Sequence, residues 1–365
     1  VMNHEQLLAE LTALSHEFGG PGYVLAGGGN TSAKTADVMW IKPSGLALQD
    51  MQPDLFVAID RARLSGLYTY QPSPVAAERE RAVQEWMAAA RQPGQTGRPS
   101  VETPLHDMLE ATFVVHTHAV LVNGLTCGRA GEATAARLFP DALWVPYIDP
   151  GYTLSMAVRE RIAEHVQATG AQPSVILLEN HGIFVAGPDG ATIRRLYREV
   201  LDGLRAEYQR ARVATELTYT GPVPAAVAPE LAGLLQELLG ADAAHVVASA
   251  PFPVVVGPLT PDHMVYAKAQ AYGGALNAQA LQAFRQQHGY APRVLVTPDG
   301  VYGMGRSATA AQRALDLARD GALVAQLSAA FGGIRLMSEA ARLFIETWEV
   351  ESYREKQSAS KGGGA

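Results

Sequence analysis

The spacing of apolar residues along the first half of the chain predicts a mixture of helices and strands. Leu7, Leu8, Leu11 and Leu14 lie on one face of a predicted helix over residues 3–18, which a run of glycine and proline then ends. Apolar runs predict strands over residues 23–26, 38–42, 55–59, 113–118, 143–147, 174–178 and 182–186. Further helices are predicted over residues 78–90, 103–110 and 191–216. Because strict strand–helix alternation is absent, we expect an α/β fold with a mixed sheet flanked by helices.

The second half of the chain follows a linker that is predicted from proline and alanine over residues 221–229. Beyond it, the same reasoning predicts strands over residues 254–257, 294–297 and 301–304, and helices over residues 278–288, 308–331 and 338–352. We therefore expect three parts: a domain over residues 1–220, a smaller C-terminal α/β segment of unknown role over residues 221–356, and a flexible tail over residues 357–365. No internal repeat is apparent.

Composition narrows the class of protein. The chain has 365 residues, 48% of them hydrophobic and 18% charged, as in globular proteins with a buried core. The net charge of -7 argues against a nucleic-acid partner. The single cysteine, Cys127, excludes an internal disulfide and is expected to be buried. Neither a run of ~18 apolar residues nor a signal-peptide pattern is present, so we expect a cytoplasmic protein without membrane contact.

Three histidines are candidates for a metal site. His116 and His118 are two residues apart on a predicted strand, so their side chains point to the same face and could reach one ion at ~2.0–2.1 Å. The same pattern also occurs as a hydrogen-bonded pair without metal. His181 stands between two predicted strands and precedes a glycine, where it could either turn into a cleft or cap a turn. Three histidines with an open position are typical of catalytic zinc.

His106 lies in the predicted helix over residues 103–110, and Glu102 stands directly before that helix, one helical turn away. A carboxylate beside a metal can be a ligand or a general base. Alternatively, Glu102 is a first-turn glutamate that the helix dipole favours. His106 is a lesser metal candidate and is expected to pack or to form hydrogen bonds.

A glycine-rich loop over residues 27–32 presents backbone N–H groups and small polar side chains, which suit an anion. The Pro-Ser-Gly turn over residues 43–45 and Ser100 could supply further donors. No lysine follows the glycines as in a Walker loop, and no dinucleotide fingerprint is present. A simple turn remains the alternative for this loop.

Together these segments resemble the class II aldolase/adducin family. The matching motifs, in order, are GGGNTS (27–32), WIKPSG (40–45), PSVETPLH (99–106), VVHTHA (114–119) and LLENHGIFVAG (177–187). Fuculose-phosphate aldolase, rhamnulose-phosphate aldolase and ribulose-phosphate 4-epimerase belong to this family. The resemblance implies a class II aldolase-like mixed sheet. It also implies a homo-oligomer, such as a tetramer, with a small-molecule sugar phosphate as partner.

The resemblance also implies roles for individual residues. His116, His118 and His181 match the ligands of Zn²⁺ or another divalent metal ion, and Glu102 matches the acid/base. The positions that match phosphate-binding residues are Gly29, Asn30, Ser44, Gly45 and Ser100. The chain departs from the small aldolases at Val101, where they often have a second serine, and at Lys42, where they often have threonine.

Two tyrosines are candidates for a second acid/base, which would protonate the aldehyde oxygen. Tyr147 and Tyr152 flank the Asp-Pro-Gly turn over residues 149–151. The alternative for both is a packing role.

The C-terminal segment resembles the middle region of longer rhamnulose-phosphate aldolase/dehydrogenase fusion proteins. The matching parts are TPDH (260–263), GVYGMG (300–305), the predicted helix over residues 308–331 and WEVE (348–351). We expect no dehydrogenase part in this chain.

The function that these resemblances imply is that of a zinc-dependent aldolase, a lyase that cleaves a ketose 1-phosphate such as rhamnulose 1-phosphate. The products would be dihydroxyacetone phosphate and an aldehyde, formed through a metal-stabilised enediolate. The alternatives are a sugar-phosphate epimerase or dehydratase on the same metal site, and a non-catalytic adducin-like module.

Overall fold

The computed structural model describes residues 2–222 and 227–348, which divide into two compact units. Unit 1 contains residues 2–126 and 130–207, and unit 2 contains the other described residues. Parts of three sequence predictions lie outside the described residues: the linker at 223–226, the last helix beyond 348, and the tail over 357–365. The predicted domain organisation with a boundary at residue 220 therefore stays a prediction.

Unit 1 is built on a seven-stranded sheet with strand order β3-β2-β1-β4-β7-β6-β5. The strands are β1 (Asn30–Lys34), β2 (Val38–Ile41), β3 (Val57–Asp60), β4 (Phe113–Thr117), β5 (Leu143–Val145), β6 (Val175–Leu178) and β7 (Gly182–Gly187). Only β5 and β6 are parallel, while the other neighbours are antiparallel. The predicted mixed sheet is confirmed.

Helices flank this sheet. They are α1 (His4–Glu17), α2 (Arg61–Ser65), α3 (Ala76–Ala89), α4 (Thr103–Met108), α5 (Val120–Thr126), α6 (Gly131–Leu138), α7 (Tyr152–Thr169) and α8 (Gly190–Ala211). The last residues of α8, from Tyr208 onwards, belong to unit 2. The core lies against the sheet, and β4, in its middle, is buried along its whole length. The sequence analysis did not predict α5, α6 or α7. Among the described residues, no helix combines the length and apolar character that crossing a bilayer requires.

The first predicted strand is wrong. Residues 23–26 form turns, and β1 begins at Asn30, inside the segment that was predicted to be a glycine-rich loop. β1 escaped prediction because it is polar although all of its residues are buried. Its polar groups find partners: the hydroxyls of Thr31 and Ser15 lie 2.7 Å apart, and Lys34 Nζ donates to the carbonyl of Leu109 at 2.7 Å. Hydrogen bonding makes such burial tolerable.

Unit 2 has a three-stranded antiparallel sheet in the order β8-β10-β9, with β8 (His245–Ser249), β9 (Val294–Thr297) and β10 (Gly300–Gly305). Its helices are α9 (Pro229–Leu239), α10 (Pro261–Tyr266), α11 (Ala278–His288), α12 (Ala308–Ser328) and α13 (Glu339–Thr347). The smaller C-terminal α/β segment is thus confirmed. The strand predicted over residues 254–257 is wrong, because these residues join no ladder, and β8 lies earlier.

Unit 2 repeats the central layer of unit 1, which the sequence did not reveal. β9 and β10 pair in the register of β6 and β7, so that Leu295↔Tyr302 takes the place of Ile176↔Phe184. On the far side, β8 pairs with β10 as β4 pairs with β7. Following the ladders, Ala248 stands in β8 where His116 stands in β4.

The helix that follows each hairpin also corresponds. Before α8, the Asp189 carboxylate accepts a hydrogen bond from the backbone N–H of Thr192. Before α12, the Ser307 hydroxyl accepts one from the backbone N–H of Ala310 at the same spacing. Both helices therefore begin with an N-cap at the same distance from the hairpin.

The close packing of β10 on α12 can be tested with matched glycine substitutions in unit 2. A Cβ at Gly303 would lie 2.3 Å from the carbonyl oxygen of Ala311 and 2.8 Å from Leu315 Cβ. We expect Gly303→Ala to lower the free energy of unfolding by ~1–3 kcal/mol through overpacking. Gly233→Ala in α9, where a Cβ meets nothing within 4 Å, should be neutral or stabilise by up to ~1 kcal/mol. Denaturant unfolding measures both, and equal effects would contradict the packing.

Candidate metal centre

The structure brings the three predicted histidines together. His116 lies in β4, His118 follows the end of that strand, and His181 lies in the turn between β6 and β7. Because β7 pairs directly with β4, this turn meets the end of β4. The candidate ligand atoms of the three side chains all lie within 4.8 Å of one another. The predicted strand over residues 113–118 ends at Thr117, so His118 is not a strand residue.

The turn that carries His181 depends on its neighbours. Asn180 has a left-handed backbone with φ 52°, and its N–H donates to the carbonyl of Thr126 at 3.1 Å. Asparagine tolerates this conformation better than most residues. At Gly182, a Cβ would lie 2.3 Å from the carbonyl oxygen of Thr117 and 3.0 Å from the ring of His118. Only glycine allows the turn to approach the histidine pair this closely.

A backbone carbonyl fixes the orientation of the His116 ring. Its Nδ1 lies 2.9 Å from the carbonyl oxygen of Ile183, which can only accept a hydrogen bond. Nδ1 therefore carries the hydrogen, and the lone pair of Nε2 is available to a metal. The ring also stacks on Phe184, with centroids 4.0 Å apart and planes inclined by 15°.

The donor set fits a divalent metal ion. Nitrogens at ~2.0–2.1 Å from a tetrahedral ion stand about 3.3 Å apart. Nε2 of His116 and Nε2 of His118 are 3.0 Å apart, and the set of three stays within 4.8 Å. Three imidazole nitrogens suit Zn²⁺, among other first-row ions. This is the only such group of three within the part of the chain that the structure describes.

Glu102 lies against the histidines at the start of α4. Its Oε1 is 3.3 Å from Nε2 of His116 and 3.3 Å from Nε2 of His181, and its side chain is 4% exposed. Burial raises the pKa of Glu102, but positive charge on protonated His116, His181 and His118 outweighs burial and holds that pKa well below its ordinary value. A divalent ion held by the neutral imidazoles would supply positive charge in their place. The carboxylate is therefore ionised, as a metal ligand or general base must be.

Two of the predicted phosphate-binding residues, Asn30 and Ser100, contact Glu102, and a third, Gly29, lies against the backbone of His116. Asn30 Nδ2 donates to Glu102 Oε2 at 2.6 Å and to Ser100 Oγ at 3.1 Å. Ser100 Oγ also accepts from the backbone N–H of Glu102 at 3.2 Å. Gly29 has φ 67°, and a Cβ there would lie 2.8 Å from the carbonyl oxygen of His116. Asn30 and Ser100 thus hold Glu102 in the candidate site, and Gly29 allows the chain before β1 to pass close to β4.

The other two phosphate candidates lie on an adjoining turn. The backbone N–H of Ser44 donates to the carbonyl of Arg98 at 2.9 Å, and its hydroxyl donates to the carbonyl of Pro99 at 3.3 Å. Gly45 completes the turn with φ 87°. These bonds hold the turn against the segment that leads into Ser100. The neighbouring Lys42 is buried, and its Nζ donates to the carbonyl of Leu46 at 2.7 Å.

The two tyrosines are placed differently. Tyr152 is buried in a hydrophobic cluster with residues of β2 and β3, and its hydroxyl donates to the carbonyls of Tyr70 at 3.2 Å and Leu67 at 3.4 Å. The structure thus does not bring Tyr152 to the histidines. Tyr147 is half-buried after β5, and its hydroxyl donates to Asp149 at 3.3 Å. A catalytic role for either stays a prediction.

His106 forms hydrogen bonds, as the sequence analysis expected, and the structure places it beside Asn30. It is fully buried, its Nδ1 lies 2.7 Å from Ser32 Oγ, and its Nε2 contacts Asn30 Oδ1. Burial lowers the pKa of His106 well below its ordinary value, while Glu102 opposes this shift and His116 adds to it. The available signal was the spacing of four residues from Glu102, which places both on one helical face.

The family of the chain follows from its sequence over most of unit 1. Residues 9–201 match the model of the class II aldolase and adducin N-terminal domain. The chain belongs to this family. The match includes the three histidines, Glu102 and the residues that surround them, so the site just described lies within the family's domain.

The sequence identity to individual proteins is low. This class II aldolase-family chain is 25% identical over 389 residues to the uncharacterized oxidoreductase YuxG of Bacillus subtilis strain 168. That alignment covers 90% of this chain and 55% of YuxG, so the chain spans about half the length of its curated relative.

Solved structures match in part. One is the N-terminal class II aldolase domain of a conserved Thermoplasma acidophilum protein, with 24% identity, a TM-score of 0.46, and coverage of 55% of this chain and 92% of that one. Another is the L-fuculose-1-phosphate aldolase of Thermus thermophilus, with 15% identity, a TM-score of 0.39, and coverage of 56% of this chain and 96% of that one.

Metal analysis tests the centre directly. We expect about one Zn²⁺ or similar divalent ion per purified chain, because three histidine nitrogens converge. His116→Ala and His181→Ala should each lose most of it while circular dichroism stays unchanged. His245→Ala, which removes an exposed histidine of β8, serves as the control and should keep the metal. Full occupancy in both site variants, measured by plasma mass spectrometry, would refute the assignment.

Proposed function

We propose that this chain is a metal-dependent aldehyde-lyase that cleaves a ketose 1-phosphate, such as rhamnulose 1-phosphate, into dihydroxyacetone phosphate and an aldehyde. The observation that carries the proposal is the position of one buried, ionised carboxylate oxygen. Glu102 Oε1 lies 3.3 Å from a nitrogen of each of two candidate metal ligands, His116 and His181. A carboxylate that can move a proton thus lies directly beside the residues that would hold a metal ion.

The three histidines would hold the ion. When bound, a divalent ion supplies positive charge beside the ketose carbonyl and its neighbouring hydroxyl, where negative charge develops as the C–C bond breaks. The hydrogen on His116 Nδ1 is directed to the carbonyl of Ile183, which keeps its Nε2 aimed into the site. His181 is kept in place by the turn that Asn180 and Gly182 allow.

Glu102 would move the proton on the three-carbon fragment. Its Oε2 accepts from Asn30, so the carboxylate cannot rotate freely, and Oε1 stays on the side of the histidines. As the C–C bond breaks, the hydroxyl on the departing carbon loses its proton, and the carbon that becomes the hydroxymethyl group of dihydroxyacetone phosphate gains one. Glu102, ionised at the start, would take up the released proton and deliver it to that carbon, and in the reverse direction it would remove it.

The phosphate group would meet the turn that holds Ser44 and Gly45 together with Gly29 and Ser100. Both N–H groups of the Asn30 amide already point to Glu102 and Ser100. The Ser44 hydroxyl and N–H likewise donate to the carbonyls of Pro99 and Arg98. We therefore expect the Ser100 hydroxyl and the backbone N–H groups of the two glycines to be the donors that face the phosphate. The Lys42 ammonium beside this turn adds positive charge to the same region.

A second candidate is an epimerase or dehydratase on the same metal site. One observation favours it: the Tyr152 hydroxyl, which was a candidate to protonate the aldehyde oxygen, is directed to two backbone carbonyls in the core. An epimerase that moves only a C–H proton does not need that tyrosine. Product analysis with ketose phosphates distinguishes the two reactions.

We also propose that the chain acts as a homo-oligomer, such as a tetramer in which a neighbouring copy completes the site. The family resemblance supports this, because such sites often draw a residue from a neighbouring subunit. We expect multi-angle light scattering to show a mass of more than one chain at working concentration. A monomer that retains full activity would contradict it.

Substitution of Glu102 tests the reaction. Glu102→Gln keeps the side-chain shape and can still accept from Asn30, but it cannot hold the transferred proton. We expect it to keep its metal and to lose ~10²–10⁴-fold in rate, the usual contribution of a positioned acid/base. The assay is exchange of the hydroxymethyl proton of dihydroxyacetone phosphate in heavy water, followed by NMR.

The control is Glu207→Gln, which neutralises another buried carboxylate of unit 1, one that pairs with Arg137 at 3.0 Å. It should exchange at the wild-type rate. If Glu102→Gln also does, another group moves the proton. If the wild type neither binds nor exchanges dihydroxyacetone phosphate, the aldolase proposal fails and the epimerase or dehydratase moves ahead.

A further inference from the structure

A buried chain of hydrogen bonds leads away from Glu102 into unit 1. Glu102 Oε2 accepts from Asn30 Nδ2 at 2.6 Å, Asn30 Oδ1 contacts His106 Nε2, and His106 Nδ1 lies 2.7 Å from Ser32 Oγ. The exposed fractions are 3% for Glu102, 2% for Asn30, and 0% for both His106 and Ser32. This series of hydrogen bonds is thus almost completely buried, where water cannot replace a lost partner.

The chemistry of the groups sets the direction of every bond. An ionised carboxylate only accepts, so the Asn30 atom facing Glu102 must be the amide nitrogen. The Asn30 oxygen then faces His106, whose Nε2 must carry the hydrogen. A neutral imidazole has one N–H, so His106 Nδ1 accepts, and the Ser32 hydroxyl donates to it. Each group therefore has one orientation that satisfies all its neighbours.

We propose that His106 is a positioning residue that holds Glu102 in its working orientation through Asn30. This role rests on the acid/base role proposed above for Glu102. Without a donor at His106 Nε2, the buried Asn30 oxygen would lose its hydrogen-bond partner, and the amide would shift to find another. The hydrogen bond from Asn30 Nδ2 to Glu102 Oε2 would then weaken, and Oε1 would no longer be held beside His116 and His181. His106 prevents this shift.

The same hydrogen bonds exclude His106 as a metal ligand. Both ring nitrogens are engaged, one by Ser32 and one by Asn30. The ring is further held by an edge contact with Phe184, at a centroid distance of 5.3 Å. Phe184 in turn stacks on His116, so His106 supports the Glu102 side of the site and the ligand side at once.

Two variants separate the hydrogen bond from the packing. His106→Phe keeps a ring against Phe184 and removes both nitrogens. His106→Gln can still donate an amide N–H towards Asn30. We expect His106→Phe to lower kcat for proton exchange on dihydroxyacetone phosphate by about 10–100-fold, with KM and metal content changed by less than about threefold. His106→Gln should regain a large part of the loss. Equal losses, or a loss in KM alone, would overturn the role.

A double-mutant cycle tests whether His106 acts through Asn30. If it does, the variant with both Asn30→Ala and His106→Phe exchanges no more slowly than Asn30→Ala alone, because the path is already broken. If the two losses multiply, His106 acts by another path and the proposal fails.

One readout does not depend on activity. In ¹⁵N-labelled, metal-free protein, the long-range ¹H–¹⁵N spectrum reports which ring nitrogen of each histidine carries hydrogen, and the signal of His106 is identified by its loss in His106→Gln. We expect the Nε2–H form in the wild type. The Nδ1–H form would overturn the proposal, even where His106→Phe does not fold.

These tests fail independently of the proposed function. If the wild type does not exchange the proton, the aldolase proposal fails, and the NMR measurement decides whether His106 has its hydrogen directed to Asn30. If the wild type exchanges and His106→Phe exchanges at the same rate, the lyase survives and the positioning role is overturned.

Discussion

The positions of the site residues depend first on the pairing of three strands, β1, β4 and β7. Asn30 in β1, His116 in β4 and Phe184 in β7 lie side by side across the sheet. This register sets the ring of His116 against Phe184 and brings the Asn30 amide to Glu102. A slip by one residue in any of these strands would turn its side chain to the opposite face. The three candidate metal ligands, Glu102 and the residues that contact it all depend on this alignment.

The second constraint is electrostatic. An ionised carboxylate that leaves water loses several kcal/mol of solvation, which must be offset by nearby positive charge and by donors. Glu102 has both: three imidazoles on the side of Oε1 and the Asn30 amide at Oε2. A metal ion held by the histidines would act in the same direction. The same interactions that make the buried carboxylate tolerable thus make it ionised and fixed, as an acid/base must be.

Unit 2 contains the strand and helix arrangement that lies under the site in unit 1, but within the described residues it lacks the three histidines. The hairpin of β9 and β10, the strand β8 and the helix α12 repeat the pairings of their counterparts in unit 1. Yet Ala248 replaces His116, and the turn between β9 and β10 is Pro298-Asp299, one residue shorter than the turn that carries His181. The fold is therefore a scaffold, and the candidate metal centre of unit 1 is a set of side chains added to it.

The sequence by itself determined the features that local pattern controls. Helix α11 matches its prediction from Ala278 to His288, and the hairpin that flanks His181 lies within a residue of its predicted bounds, because side-chain spacing alone specifies them. The tertiary structure decided the rest. β1 is polar, and only its position between β2 and β4 makes it a strand. His106 and Asn30 are 76 residues apart, and no local pattern relates them. Strand pairing and helix packing bring them into contact, since a hydrogen bond between distant residues exists only once the sheet has set their distance.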